Sequence, residues 1–215
     1  MFNGFSPETV DFLWGIRLNN NREWFTEHKS DYVIYLYEPM KAFGKAVFAP
    51  CADKPGELLK VSRIYRDARL HHPLPYKESL WICIRRAVQW WGENPCLFFE
   101  ICPEGISYGL SLWSPRVQTM ADLRQDWAAR PREFIQLIKS TEEAVGIPVS
   151  AELYKRPKEA PVPELAPYYA WKTHIRCIRE EGFSPRVFDP ALAEEVRDTF
   201  EKLMPLYDYL NKFNP

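Results

Sequence analysis

Arg63, Arg66 and Arg69 recur at every third position in the run Arg63-Ile64-Tyr65-Arg66-Asp67-Ala68-Arg69, and Pro75-Tyr76-Lys77 follows six residues later. Four cations and one carboxylate therefore fall within fifteen residues, beside two tyrosines. A guanidinium presents a planar fork of N–H donors that grips carboxylate or phosphate through two bonds, and a lysine adds a point charge. Two outcomes fit these residues. In one, Asp67 orients a guanidinium while the remaining cations bind an anionic ligand. In the other, the same groups are a structural ion-pair hub. Tyr76 reads as an aromatic turn residue beside a solvated lysine, or as a wall of the anion site that Lys77 joins.

Further along, Lys155-Arg156-Pro157-Lys158 forms a second basic run. Arg156 and Lys158 could close the same anion site, although a solvated charge run is the simpler reading. Arg124 reads as a surface or capping charge on a helix. His71-His72 is a poor chelate because adjacent residues seldom bind one ion and no acidic or cysteine partner stands at ligand spacing, and His28 and His174 read as ordinary packing or surface residues. No metal or cofactor is expected. The chain lacks a Gly-x-Gly-x-x-Gly fingerprint, a Walker loop, a Gly-x-Ser-x-Gly elbow and a His-Glu-x-x-His pair, which removes the commonest dinucleotide, nucleotide, hydrolase and zinc-protease readings.

The elements that must position these residues are legible from caps and periodicity. Ser6-Pro7-Glu8 is a helix start, with Val10, Leu13, Trp14 and Arg17-Leu18 at helical spacing. Asn19-Asn20-Asn21 ends that helix and caps the next, where Glu23 falls in the first turn; Asn20 or Glu23 lining a pocket is the sharper alternative. Trp24, Phe25, His28, Tyr32, Tyr35, Leu36, Met40, Phe43 and Val47 continue a helical stripe that Pro39 should kink. Residues 58–69 suit a helix or an extended chain, and the extended form is favoured. Segments 79–88, 95–102 and 106–113 read as strands joined by short links, hence antiparallel neighbours. Helices are expected over 119–129 and 131–145, and a strand over 149–156. A proline-rich extended connector spans 157–167, a strand 168–180, and a last helix behind Asp189-Pro190 runs from 191 to about 209. The expectation is one α+β domain over residues 1–215, a central antiparallel sheet packed with N-terminal and C-terminal helices.

Composition bounds the partners. Lys+Arg 28 balance Asp+Glu 29, so the chain has no global basic footprint, and nucleic-acid binding is disfavoured. Aromatics reach 15%, enough to build a large core without staples. The apolar runs are too short to span a bilayer and the first residues do not resemble a signal peptide, so a cytoplasmic protein without a membrane segment is expected. The five cysteines have no Cys-x-x-Cys spacing and read as free thiols.

Several signatures in this order resemble the family called domain of unknown function 2461. They are Asn19-Asn20-Asn21-Arg22-Glu23-Trp24-Phe25 with His28-Lys29 and Tyr32, then the arginine run with Pro75-Tyr76-Lys77. Leu153, Arg156-Pro157-Lys158 and Trp171-Lys172 follow, and Met204-Pro205-Leu206-Tyr207 closes the set. The resemblance spans nearly the whole chain and implies a single domain, but it supplies no activity. The family pattern carries Arg-Phe-Ser and then a lysine ahead of Pro-Tyr-Lys, whereas Leu70-His71-His72-Pro73-Leu74 is one position shorter and lacks that lysine. Gly-Tyr after Pro157-Lys158 is replaced by Glu159-Ala160. Three functions follow: a binding domain for an anionic small molecule or partner, a metal-independent enzyme on an anionic metabolite, and a nucleic-acid-binding protein. The enzyme would need Asp67, Glu23, Tyr76 or His71 as its acid or base.

Overall fold

A computed structural model of the chain describes residues 1–52, 54–67, 73–88 and 90–213. Helix α1 runs Pro7–Leu18, and the Ser6 N–H donates to the Thr9 hydroxyl at its start. Its buried face is Thr9, Phe12, Leu13 and Ile16. Of the expected stripe only Leu13 is buried; Trp14 and Leu18 are exposed. Helix α2, Arg22–Glu27, is capped by the Asn21 side chain, which accepts from the Trp24 N–H at 2.9 Å.

A short α3, Lys29–Asp31, leads into a wide π turn at Tyr32–Tyr37 and then α4, Glu38–Phe48. Pro39 explains the disturbance. It has no N–H to give the carbonyl four residues back. That carbonyl belongs to Tyr35, and it accepts instead from the buried Thr9 hydroxyl at 2.5 Å. The expected kink is thus a change of helical pitch, held by a side chain from α1.

Among the described residues six strands form one antiparallel sheet in the order β1-β2-β3-β4-β6-β5. They are β1 Glu57–Val61, β2 Leu80–Arg86, β3 Cys96–Cys102, β4 Gly105–Leu112, β5 Ser150–Leu153 and β6 Trp171–Gly182. The chain leaves β4 through α5 (Val117–Ala129) and α6 (Pro131–Val145), takes the edge as β5, then returns beside β4 as β6. Gly146, at φ 65°, stops α6 in the left-handed conformation that glycine tolerates best. The proline-rich link ends in helical turns at Pro163–Leu165 and α7 (Ala166–Tyr169), so Tyr168 and Tyr169 belong to a helix rather than to the last strand. Asp189 Oδ1 accepts from the Ala191 N–H at 2.8 Å ahead of α8, Leu192–Asn211. The fold is α+β, as expected.

The chain divides into two compact units. The first comprises Met1–Ile84, Phe98–Tyr108 and Glu180–Asp198, and Phe5 stacks on Phe99 at 5.8 Å in its core, with Phe2 edge-on to Phe5 and to Phe43. The second comprises Arg85–Leu97, Gly109–Arg179 and Thr199–Pro215, with a core in which Trp127 stacks on Phe134 at 4.6 Å and meets Trp171 edge-on. None of the five cysteines is in a disulfide, and burial pushes the Cys177 thiol up to about 12. Among the described residues no helix is long and apolar enough to cross a membrane.

Candidate functional site

The arginine run and Pro75-Tyr76-Lys77 are the two arms of one extended hairpin in the first unit. Beyond β1 and β2 the two arms bend and pair again. Tyr65 and Tyr76 form an antiparallel bridge, the Arg66 N–H donates to the Pro75 carbonyl at 2.9 Å, and the Lys77 N–H donates to the Ile64 carbonyl at 2.7 Å. The extended reading of 58–69 therefore holds at Glu57–Val61 and at Tyr65. Arg69, with His71 and His72, lies outside the described residues.

Tyr76 anchors the hairpin to α2. It is only 5% exposed and its ring stacks on Phe25 with centroids 4.2 Å apart. Burial, with Tyr65 beside it, pushes the phenol up from its ordinary value. Asn20 completes the anchor: its side chain accepts from the Tyr76 N–H and donates to the Tyr76 carbonyl, both at 3.0 Å. Asn20 is thus a strut that reads main chain, and Glu23 is exposed. Tyr76 is a buried clamp rather than a turn residue, and the lysine after it is half-buried.

The cations divide into two groups by what they hold. Arg66 Nε donates to the Tyr76 carbonyl at 2.6 Å, and its guanidinium lies 3.7 Å from Glu78. Glu78 also accepts from Arg17 Nε at 2.7 Å, and Arg17 pairs in turn with Glu104. The Arg17 guanidinium holds the Glu104 carboxyl below the usual carboxylate range. Arg66-Glu78-Arg17-Glu104 is therefore an alternating chain that ties the hairpin to α1 and to the β3–β4 turn.

Arg63 and Lys77 are placed otherwise. Arg63 is exposed, and Lys77 is half-buried with its ammonium 5.3 Å from the Trp81 ring centroid. Burial, Arg63 and Arg66 all push the Lys77 ammonium below its ordinary value, while Glu100 opposes them. Glu100 is itself engaged, accepting from the Ser79 hydroxyl at 2.5 Å. Asp67 is exposed at the described end of this arm.

Arg156 and Lys158 belong to the second unit, on the exposed segment after β5, where Lys158 Nζ lies 5.5 Å from the Tyr154 ring centroid. Arg124 corrects the surface reading. It is 7% exposed, donates to the Met120 carbonyl at 2.9 Å and the Trp171 carbonyl at 2.7 Å, and lies over the face of Tyr154. It acts as a structural pin between α5 and β6, held through its two terminal nitrogens by neutral acceptors while its buried Nε has no partner among the described residues. His174 is buried in β6 at φ 52°, packed 4.4 Å from Trp113.

Sequence reasoning found the hairpin cations and missed Arg17, Glu78, Glu100 and Glu104. Glu78 follows Lys77 directly and could have been read as a counter-ion of the run. Arg17 and Glu104 become neighbours only through the fold. No curated protein matches the chain. The family model described as conserved hypothetical protein DUF2461 matches residues 8–209, and the chain belongs to that family.

Proposed function

We propose that the hairpin is a binding site for an anionic group, phosphate or carboxylate, on a small molecule or partner, with Arg63 and Lys77 as the ligand-facing cations. The observation that carries this reading is the setting of Lys77. It is half-buried beside two arginines, one of them already committed to the Tyr76 carbonyl and Glu78. A lysine held in this way carries excess positive charge that an anion would relieve. Trp81 supplies an aromatic wall beside it. Arg66 is the positioning residue. It fixes the hairpin to Glu78 and keeps a guanidinium near the ligand. Five cysteines with no Cys-x-x-Cys spacing suit a reducing, cytoplasmic setting for the protein.

Thermal shift and calorimetry with pyrophosphate and citrate, against chloride at matched ionic strength, test the reading. Wild type should show a saturable shift. The double substitution Arg63→Ala/Lys77→Ala should weaken binding at least tenfold, since one charge-assisted hydrogen bond is worth about 1.5–3 kcal/mol. Identical titrations of the two proteins would remove the hairpin from consideration.

A further inference from the structure

The first unit also holds a cleft of the opposite charge, about 340 Å³ in volume, within the size range of small-molecule sites. Three helical stretches build it, each contributing residues three or four apart, the spacing that puts side chains on one helix face. Helix α1 supplies Glu8, Asp11 and Phe12; α2 and its cap supply Trp24 and His28; α3 and the π turn supply Asp31 and Tyr35. The walls are fixed. Thr9, inside α1, donates to the Tyr35 carbonyl and ties the first stretch to the third. Trp24 lies against Gly15, where an added Cβ would come 2.5 Å from the indole, so only glycine leaves room for the ring. Trp24 and His28 stack with centroids 4.1 Å apart and planes within 10°.

Three properties of the cleft agree on one ligand chemistry. Its walls include the aromatic side chains of Phe12, Trp24 and Tyr35, and aromatic rings attract cations through their quadrupole. Its rim carries Glu8, Asp11 and Asp31, and none of the ion pairs among the described residues uses any of the three. His28 Nδ1 lies 2.9 Å from the Trp24 carbonyl, a contact that requires Nδ1 to carry the proton, so neutral His28 keeps the Nε2 lone pair as an acceptor. A bare metal ion does not fit, because among the described residues no three His, Cys, Asp or Glu side chains converge closely enough to hold one. The ligand must span the cleft, with apolar carbon against the rings and a charged head that donates N–H bonds.

We propose that this cleft binds a primary alkylammonium compound, the ammonium held between one rim carboxylate, Asp11 or Asp31, and His28 Nε2, and the alkyl chain lying on Trp24 and Phe12. The site is independent of the cationic hairpin. Putrescine is the probe, titrated into the full chain at constant ionic strength and followed by the indole N–H resonance of Trp24, assigned from Trp24→Phe. A saturable shift is expected that the neutral butanediol analogue does not produce. Asp11→Asn/Asp31→Asn should weaken putrescine at least tenfold, and both side chains reach solvent, so the variant should fold; Glu8→Gln is the second variant, with a smaller loss expected. The proposal is overturned if butanediol shifts the indole equally, if both variants bind putrescine as wild type does, or if magnesium ion gives the same saturable shift. Tetramethylammonium, which has no N–H to offer His28, should bind more weakly than putrescine; equal binding would overturn the primary-amine assignment.

Discussion

The hairpin and the cleft both gather charge of one sign, yet their surroundings differ. At the hairpin, Arg66 and Arg17 share Glu78, Arg17 holds Glu104, and the excess falls on Arg63 and Lys77. At the cleft, Glu8, Asp11 and Asp31 are joined by no ion pair among the described residues, and the walls around them are aromatic. Clustering of like charges is therefore a weaker sign of a ligand than the lack of counter-ions within the cluster. A charged group with an internal partner serves the fold first, and one left without a partner costs stability that a ligand can return. The two regions can be perturbed separately.

The largest effect should come from Tyr76→Ala. Removing a stacked, buried ring from the anchor of the hairpin should cost about 3–5 kcal/mol in urea unfolding. Under conditions where the variant stays folded, anion binding should fall with it while putrescine binding at the cleft persists. Loss of both responses together would mean that the regions are not independent. The counterpart at the cleft is Thr9→Val, nearly the same shape without the hydroxyl. It leaves the buried Tyr35 carbonyl without its donor and should cost about 1–3 kcal/mol. Putrescine should then weaken while pyrophosphate is unaffected.

How far each region was legible in the sequence follows from how local its determinants are. Caps and stops are local, and Ser6-Pro7, Asn21, Gly146 and Asp189 all mark their helix ends as read. The strands were legible because β-branched and aromatic runs lie between short polar links. The arginine run was visible as a motif, but its division into a structural half and an open half depends on Arg17 and Glu104, far away in the chain. The cleft was harder still. Glu8 looks like an ordinary first-turn acid that complements the helix dipole, and Trp24 like a core residue. Glu8 does sit in the first turn as read, the pKa of its carboxyl lowered by the Ser6 hydroxyl, and Trp24 is only half-buried; that they share a cleft shows only when the three helical stretches meet. Arg124 misled for a related reason: a cation in a polar helix reads as solvated until the carbonyls of Met120 and Trp171 are seen around it.

Glu78→Gln gives a smaller effect and a sharper distinction. The pair partners are about one quarter exposed, so breaking the chain of charges should cost about 1 kcal/mol or less at neutral pH. It also raises the net charge of the hairpin by one. If the hairpin binds anions, pyrophosphate affinity should rise several-fold in this less stable protein. If the cations serve the fold alone, stability should fall with no gain in affinity.

The smallest expected effect is on Lys77. Its folded-state pKa lies below the ordinary lysine value of 10.5, because burial, Arg63 and Arg66 outweigh Glu100. The unfolded chain therefore holds this proton more tightly than the folded one. Stability should climb as pH rises through the window between the lowered value and 10.5, as the strained charge is discharged. Below that window the charge is a burden, so Lys77→Met, which keeps the apolar stem over Trp81, should stabilise the free protein at neutral pH by about 0.5 kcal/mol or less. The alkaline increment should vanish from its unfolding profile, and its anion affinity should fall. Asp31→Asn is the mirror experiment: no loss of stability, weaker putrescine binding and unchanged pyrophosphate binding. An anion bound to wild type should raise the Lys77 pKa and flatten the same alkaline increment. Pyrophosphate that stabilises the protein but leaves the increment untouched must be bound elsewhere, and the hairpin would then be a structural hub alone.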